Sequence, residues 1–270
     1  VGKTFEDALR ILSTVGLNDA SLFLKTYREL SEGQRYRYRL AKLIESGRQY
    51  WIADEFCSTL DRDTAKVVAY NFQKAARRMG RGVIVATTHT DLLEDLSPDV
   101  WIRKGWGAEV EVVYLNGKPP GSCTVSRGVR VEAGGLSDYE ALSRYHYRSR
   151  SRPPVLRVFR MVRGGGLVGV IVYSPPTSIT FGRSKAIPGY RVTAEWLRWL
   201  TRNVARISRV VVHPKYRSIG LGVHLVRETL PLVGKPYVEA VAVMARYNPF
   251  FEKAGMVKVA ERKPHPALKE

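Results

Sequence analysis

An apolar strand that runs into a glycine-bearing turn and then a helix, across residues 209–229, constrains this chain more than any other stretch. Arg209-Val210-Val211-Val212 reads as the strand, HPKYRSIGLG as the turn and GVHLVRETL as the helix. The turn carries Arg217, Gly220 and Gly222. Glycine tolerates positive φ and lets a ligand come close to the backbone. The amides of Ser218, Ile219, Gly220, Leu221 and Gly222 would then gather at a helix N-terminus, where partial positive charge collects. Such a cradle suits a pyrophosphate, with Val211 and Val212 leading into it and Arg217 flanking it. A tight strand–helix turn without a ligand is the plainer alternative.

The Arg-x-x-Gly-x-Gly run after a strand resembles the acyl-CoA loop of the GNAT acyltransferases. Downstream, YNPFFEKAGM resembles the last helix and strand of the same fold. This resemblance implies a mixed α/β acyltransferase domain in the order β-β-α-β-α-β-α-β, with acetyl-CoA or another acyl-CoA as cofactor. The strands VLRVFRMV and LVGVIVYS, joined through Gly164-Gly165-Gly166, suit its first hairpin. TAEWLRWLTRNVARI reads as an amphipathic helix with Trp196, Leu197, Leu200 and Val204 on one face. Many GNAT enzymes use a glutamate on the CoA-binding strand as base and a tyrosine on the last helix as acid. Here the strand offers Ser208, Arg209 and His213, and the tyrosine position holds Phe251. Tyr247, His213 and His146 are the candidates for acyltransfer chemistry, although His213 sits in a Val-His-Pro turn that reads as structural. Tyr145-His146-Tyr147-Arg148 resembles the His-Tyr-Ser element of Mom-like proteins, GNAT-fold enzymes that modify adenine in DNA, with Arg148 in place of the serine.

The first half carries a second set of motifs. Leu30-Ser31-Glu32-Gly33-Gln34 opens the helix RYRYRLAKLIES, and the strand Tyr50-Trp51-Ile52-Ala53 ends in Asp54-Glu55. Ser58-Thr59-Leu60-Asp61 follows, then a long helix, then the strand Gly82–Ala86 leading to His89. This order resembles the signature, Walker B, D-loop and switch histidine of an ABC-type ATPase, with Glu32 where the signature usually has glycine. The resemblance implies that Ser31, Gly33 and Gln34 face the γ-phosphate of an ATP held by a second ABC module. It also implies that Asp54 holds Mg²⁺ through water, Glu55 polarises the attacking water and His89 reaches the γ-phosphate. The opening Gly2-Lys3-Thr4 copies the end of a phosphate loop but lacks the strand and first glycine that belong before it, so it reads as coincidence. The chain therefore reads as the C-terminal part of an ABC-type P-loop ATPase domain followed by a GNAT-like domain, a fragment of a longer protein. ATP and Mg²⁺ would bind only with the missing N-terminal part. Archaeal proteins that join an ABC-type ATPase to an acetyltransferase domain resemble the whole arrangement.

Domain limits follow from composition. Residues 1–120 read as the partial ATPase domain, closing with the strands WIRKGWG and AEVEVVYLNG. Residues 121–153 read as a linker rich in Gly, Pro, Ser and Arg, and 154–270 as the acyltransferase domain. Residues 131–270 hold 24 Lys/Arg against 9 Asp/Glu, whereas residues 1–130 hold 20 against 16. That asymmetry suits a nucleic acid as partner of the second domain, with Arg148, Arg150 and Arg152 gripping phosphates and Tyr145 and Tyr147 stacking on bases. Two alternatives stand beside this one: a protein N-acetyltransferase, and a non-enzymatic nucleic-acid-binding module with a degenerate GNAT fold. Two cysteines form no disulfide framework, and no run of 18 apolar residues appears. A cytoplasmic location without a membrane partner follows as an expectation, and the scarcity of Asn and Gln suits a thermophile.

Overall fold

The helices expected from apolar spacing begin at side chains able to cap them. In the computed structural model, which describes residues 1–115, 117–146, 152–187, 189, 193–242 and 248–261, Thr4 caps helix α1 (Phe5–Thr14) by accepting the Asp7 amide at 3.1 Å. Gly2-Lys3-Thr4 thus leads into a helix cap. Ser31 caps α2 (Glu32–Glu45): its Oγ accepts the Gln34 amide at 3.4 Å, and Gln34 Oε1 accepts the Ser31 amide at 3.0 Å. This reciprocal pair satisfies amides that a helix start leaves without partners. The chain divides into two units, Val1–Val129 with His213–Leu221, and Arg130–Val212 with Gly222–Glu270.

In the first unit, β1 (Tyr50–Ala53) and β2 (Gly82–Val85) pair in parallel, with Trp51 opposite Val83 and Ala53 opposite Val85. Parallel neighbours need a crossover, and α3 (Arg62–Arg78) supplies it, capped by Asp61. Trp51, Phe56 and Phe72 are fully buried, and the rings of Trp51 and Phe56 lie 5.3 and 5.4 Å from that of Phe72. That cluster fixes one face of β1 on α3 and so sets where its C-terminal end points. A one-turn helix, α4 (Leu93–Leu96), precedes the antiparallel hairpin of β3 (Val100–Lys104) and β4 (Val110–Tyr114).

The second unit is built on a five-stranded sheet in the order β5-β6-β7-β8-β9. Its strands are β5 (Arg130–Ala133), β6 (Arg157–Arg163), β7 (Gly166–Ser174), β8 (Val204–Val212) and β9 (Tyr237–Ala240). All neighbours are antiparallel except β8 and β9, which run in parallel. Between β5 and β6 lies α5 (Leu136–Leu142), so residues read as linker supply both a strand and a helix. Tyr139 and Leu142 of α5 pack on Val158, Val170, Val172 and Val211. On the other face, Tyr173 meets Phe159 edge-on at 6.0 Å. Tyr173 also shares a buried 2.7 Å hydrogen bond with Thr229, the last residue of α8 (Leu221–Thr229). Burial pushes the Tyr173 hydroxyl pKa up to about 12, so it stays protonated. The one-turn α6 (Arg183–Ala186) and α7 (Ala194–Asn203) connect β7 to β8, and α9 (Phe250–Lys253) follows β9.

Two sequence expectations change here. The amphipathic helix ends at Asn203, and Val204 opens β8 instead of extending the apolar stripe. Residues 204–212 carry five β-branched side chains, and β7 and β9 offer them ladder partners, so the local helical pattern yields to tertiary pairing. Among the described residues no strand follows α9, where YNPFFEKAGM suggested one.

Candidate functional site

A single extra residue shapes the end of β8. Val172 pairs with Arg209 but Tyr173 pairs with Ile207, leaving Ser208 as a bulge. The parallel ladder with β9 runs only from Val204 opposite Tyr237 to Ile207 opposite Ala240. Beyond it, among the described residues, Arg209–Val212 take their ladder partners from β7 and none from β9. The strands therefore part at the bulge. Ser174 Oγ donates to Ser208 Oγ at 2.7 Å, Ser208 Oγ donates to the Val172 carbonyl at 3.0 Å, and Arg209 Nε donates to the Tyr139 hydroxyl at 3.2 Å. This serine pair was not anticipated.

The chain then enters the loop His213–Leu221. His213 Nδ1 accepts the Lys215 amide at 3.3 Å, which makes the imidazole a cap for the short turn Pro214–Tyr216. Ser218 (φ +67°) and Gly220 (φ +88°) both adopt left-handed backbone, a combination that turns successive amides toward one side. A Cβ on Gly220 would meet nothing within 4 Å, so the space beside it is open. Leu221 is buried and starts α8, and a Cβ on Gly222 would lie 3.9 Å from both Val212 and Phe250. Val211 packs on α5, as its strand position requires. Arg217 donates to the Asn18 carbonyl at 3.0 Å, and Ile219 packs with Val67, Tyr70, Cys123 and Val125.

Other acyltransfer candidates fare differently. His146 is half-buried, directly after the turn Ser143–Tyr145. Tyr247 lies outside the described residues, as do Tyr147, Arg148 and Arg150. Arg152 is exposed and pairs with Glu140 at 2.6 Å. A carboxylate does stand on β9, Glu239, but the Arg183 guanidinium grips both of its oxygens at 2.9 and 2.7 Å. It is held as an ion pair and not as a free base.

In the first unit the motif residues converge on one edge. Asp54 and Glu55 leave the C-terminal end of β1, and His89 follows the C-terminal end of β2. The Ala86 amide reaches the Ala53 carbonyl at 3.0 Å, the Phe56 amide reaches the Ala86 carbonyl at 2.8 Å, and Thr87 Oγ1 joins the Phe56 carbonyl to the His89 amide. Crevices at the carboxyl ends of parallel strands are the usual ligand positions of open α/β sheets. Both carboxylates are exposed, and the Glu55 amide donates to Asp54 Oδ1 at 2.8 Å while Glu55 holds φ +47°. One Asp54 oxygen is thus spent on the backbone, and the other suits a hydrated Mg²⁺ carried by a nucleotide. The start of α2 lies alongside, because a Cβ on Gly33 would come within 3.0 Å of Leu60 and the Tyr36 hydroxyl accepts the Cys57 amide at 2.8 Å. Burial pushes the Cys57 and Cys123 thiols up to about 12, so neither is a nucleophile.

Residues 130–256 match the model of the acetyltransferase (GNAT) family. The first half is similar to ATP-binding subunits. A cytochrome c biogenesis ATP-binding export protein of Nitrobacter hamburgensis is 37% identical over 86 residues, covering 32% of this chain and 40% of that protein. Its counterpart in Aliivibrio fischeri is 33% identical over 99 residues, covering 37% and 45%. The chain thus spans less than half the length of these curated relatives. A solved chain from Deinococcus radiodurans R1, described as a candidate acetyltransferase, aligns with 52% of this chain and 90% of its own length at 15% identity and a TM-score of 0.33. No helix among the described residues is long and apolar enough to cross a membrane. Residues 130–256 are a GNAT-family acetyltransferase domain, and the residues before them carry weak similarity to ABC-type ATPases.

Proposed function

We propose that this chain transfers an acyl group from acyl-CoA to an amine carried by a nucleic acid, in a protein that couples this reaction to an ABC-type ATPase. The observation that supports the reading best is the parting of β8 from β9 at the Ser208 bulge, followed by a loop with two left-handed residues and the start of α8. An acyl-pantetheine arm can lie along β8 where β9 leaves it, and the loop amides can take the pyrophosphate. The amine nitrogen attacks the thioester carbonyl, the C–S bond breaks, CoA leaves as thiolate, and the proton released by nitrogen passes to solvent. The strand edge contributes mainly by holding the thioester in line. No free carboxylate on β9 is needed for that role.

The acceptor is argued from charge. The second half carries 24 Lys/Arg against 9 Asp/Glu, more than acyl-CoA alone calls for, and a polyanion is drawn to such a surface. The test is a mass survey of nucleic acids and peptides after incubation with acetyl-CoA. Acetylated nucleosides are expected. Acetylated peptides alone would move the function to a protein N-acetyltransferase, and acetylation of neither would leave a binding module.

Ser31, Gly33 and Gln34 at the start of α2 would meet a nucleotide held on a second module, whereas Asp54, Glu55 and His89 would act on a nucleotide bound by their own module once its phosphate loop is present. This sequence has no Gly-x-x-x-x-Gly-Lys-Ser/Thr loop to cradle phosphates. The chain by itself is expected to show no ATP turnover above background. Turnover that disappears in Glu55→Gln would contradict this assignment.

A further inference from the structure

The loop His213–Leu221 is held from its side chains, by residues far away in sequence but within the first unit. Lys215 Nζ lies 2.5 Å from Asp61 Oδ1 and 3.5 Å from Asp63 Oδ2. The Tyr216 hydroxyl donates to Asp63 Oδ2 at 3.1 Å. Ser218 Oγ donates to the Ser13 carbonyl at 3.0 Å and accepts from Asn18 Nδ2 at 3.3 Å. Tyr216 and Ile219 add apolar contacts to a cluster with Val67, Tyr70, Cys123 and Val125. Ser218 is the residue that needs such support, because a side chain at φ +67° is uncommon and persists only where its surroundings fix it.

We propose that Asp61 and Asp63, at the start of α3, are positioning residues for acyl-CoA, holding the loop in its binding shape through Lys215 and Tyr216. The proposal rests on the acyl-CoA assignment of this loop. A loop already ordered in its bound form loses less freedom when the ligand arrives. Burial of Asp61 is outweighed by hydrogen bonds from Lys215 and Thr64, which keep its carboxyl below the usual range, so Asp61 is ionised at neutral pH. Asp61 belongs to the turn that follows Asp54 and Glu55. A nucleotide that shifts this turn would therefore change acyl-CoA affinity, and acyl-CoA would change nucleotide affinity by the same factor.

Asparagine isolates the charge, because Asn at position 61 keeps an oxygen for the Thr64 amide that Asp61 now accepts at 3.3 Å. Calorimetric titration of the wild type, Asp61→Asn/Asp63→Asn, Lys215→Met and their combination with acetyl-CoA tests the idea, with thermal melts confirming that each variant is folded. Both the aspartate pair variant and Lys215→Met are expected to bind roughly tenfold more weakly, and the combination no more weakly than either. In turnover, KM for acetyl-CoA should rise while kcat holds. Unchanged or tighter binding, or losses that multiply in the combination, would overturn the proposal and leave the acyl-CoA assignment standing. A wild type that binds no acetyl-CoA would overturn both.

Discussion

Replacing Gly220 with valine is expected to lower acetyl-CoA affinity by about 100-fold or more and to cost about 1–3 kcal/mol of stability through backbone strain. Gly220 holds φ +88°, where a β-branched residue is a genuine outlier. A Cβ there meets no protein atom within 4 Å, so the added side chain does not clash with the fold. It enters the space that the loop amides face, and the loop must abandon its shape to relieve the backbone. The first effect acts on the ligand, and the strain adds a cost in stability. Calorimetry with acetyl-CoA beside a thermal melt reads them separately. Retained affinity would make the loop a structural turn only.

The second large effect is on stability. Arg183 exposes only 1% of its side chain and Glu239 17%. Besides the two bonds to Glu239, Arg183 donates to the Ser178 carbonyl at 3.0 Å and to Thr180 Oγ1 at 2.7 Å. Arg183→Met leaves the carboxylate without its partner and should cost about 3 kcal/mol, toward the low end for a broken buried pair because Glu239 keeps some access to water. Arg183→Met/Glu239→Gln should recover part of that loss, since no uncompensated charge remains. Urea unfolding of the wild type and both variants measures both. Equal stability of the wild type and Arg183→Met would show that the pair is already solvated.

What could be read from residues alone was local. Ser31 with Gln34 fixes a helix start within four positions, and Asp54-Glu55 after an apolar run fixes a strand end, so those features stand where the pattern placed them. The strand–loop–helix around Gly220 is local in the same sense. The end of α7 was not, because Val204 fits either an apolar helix face or a strand, and only the partners on β7 and β9 decide between them. The Ser208 bulge is a mismatch between two strands and has no signature in either one. The Lys215 contacts with Asp61 and Asp63 join residues about 150 positions apart, a distance at which charge patterning says nothing. Glu239 shows the same limit: the sequence offers a carboxylate, and the structure alone reveals that Arg183 occupies it.

The central claim, that acyl-CoA lies along β8 and in the loop before α8, is tested most directly by amide hydrogen exchange with and without acetyl-CoA. The expected result is slowed exchange in peptides covering Ser208–Val212 and Ser218–Gly222, with little change in α2 and α3. Protection confined to other segments, or none at saturating acetyl-CoA, would contradict it.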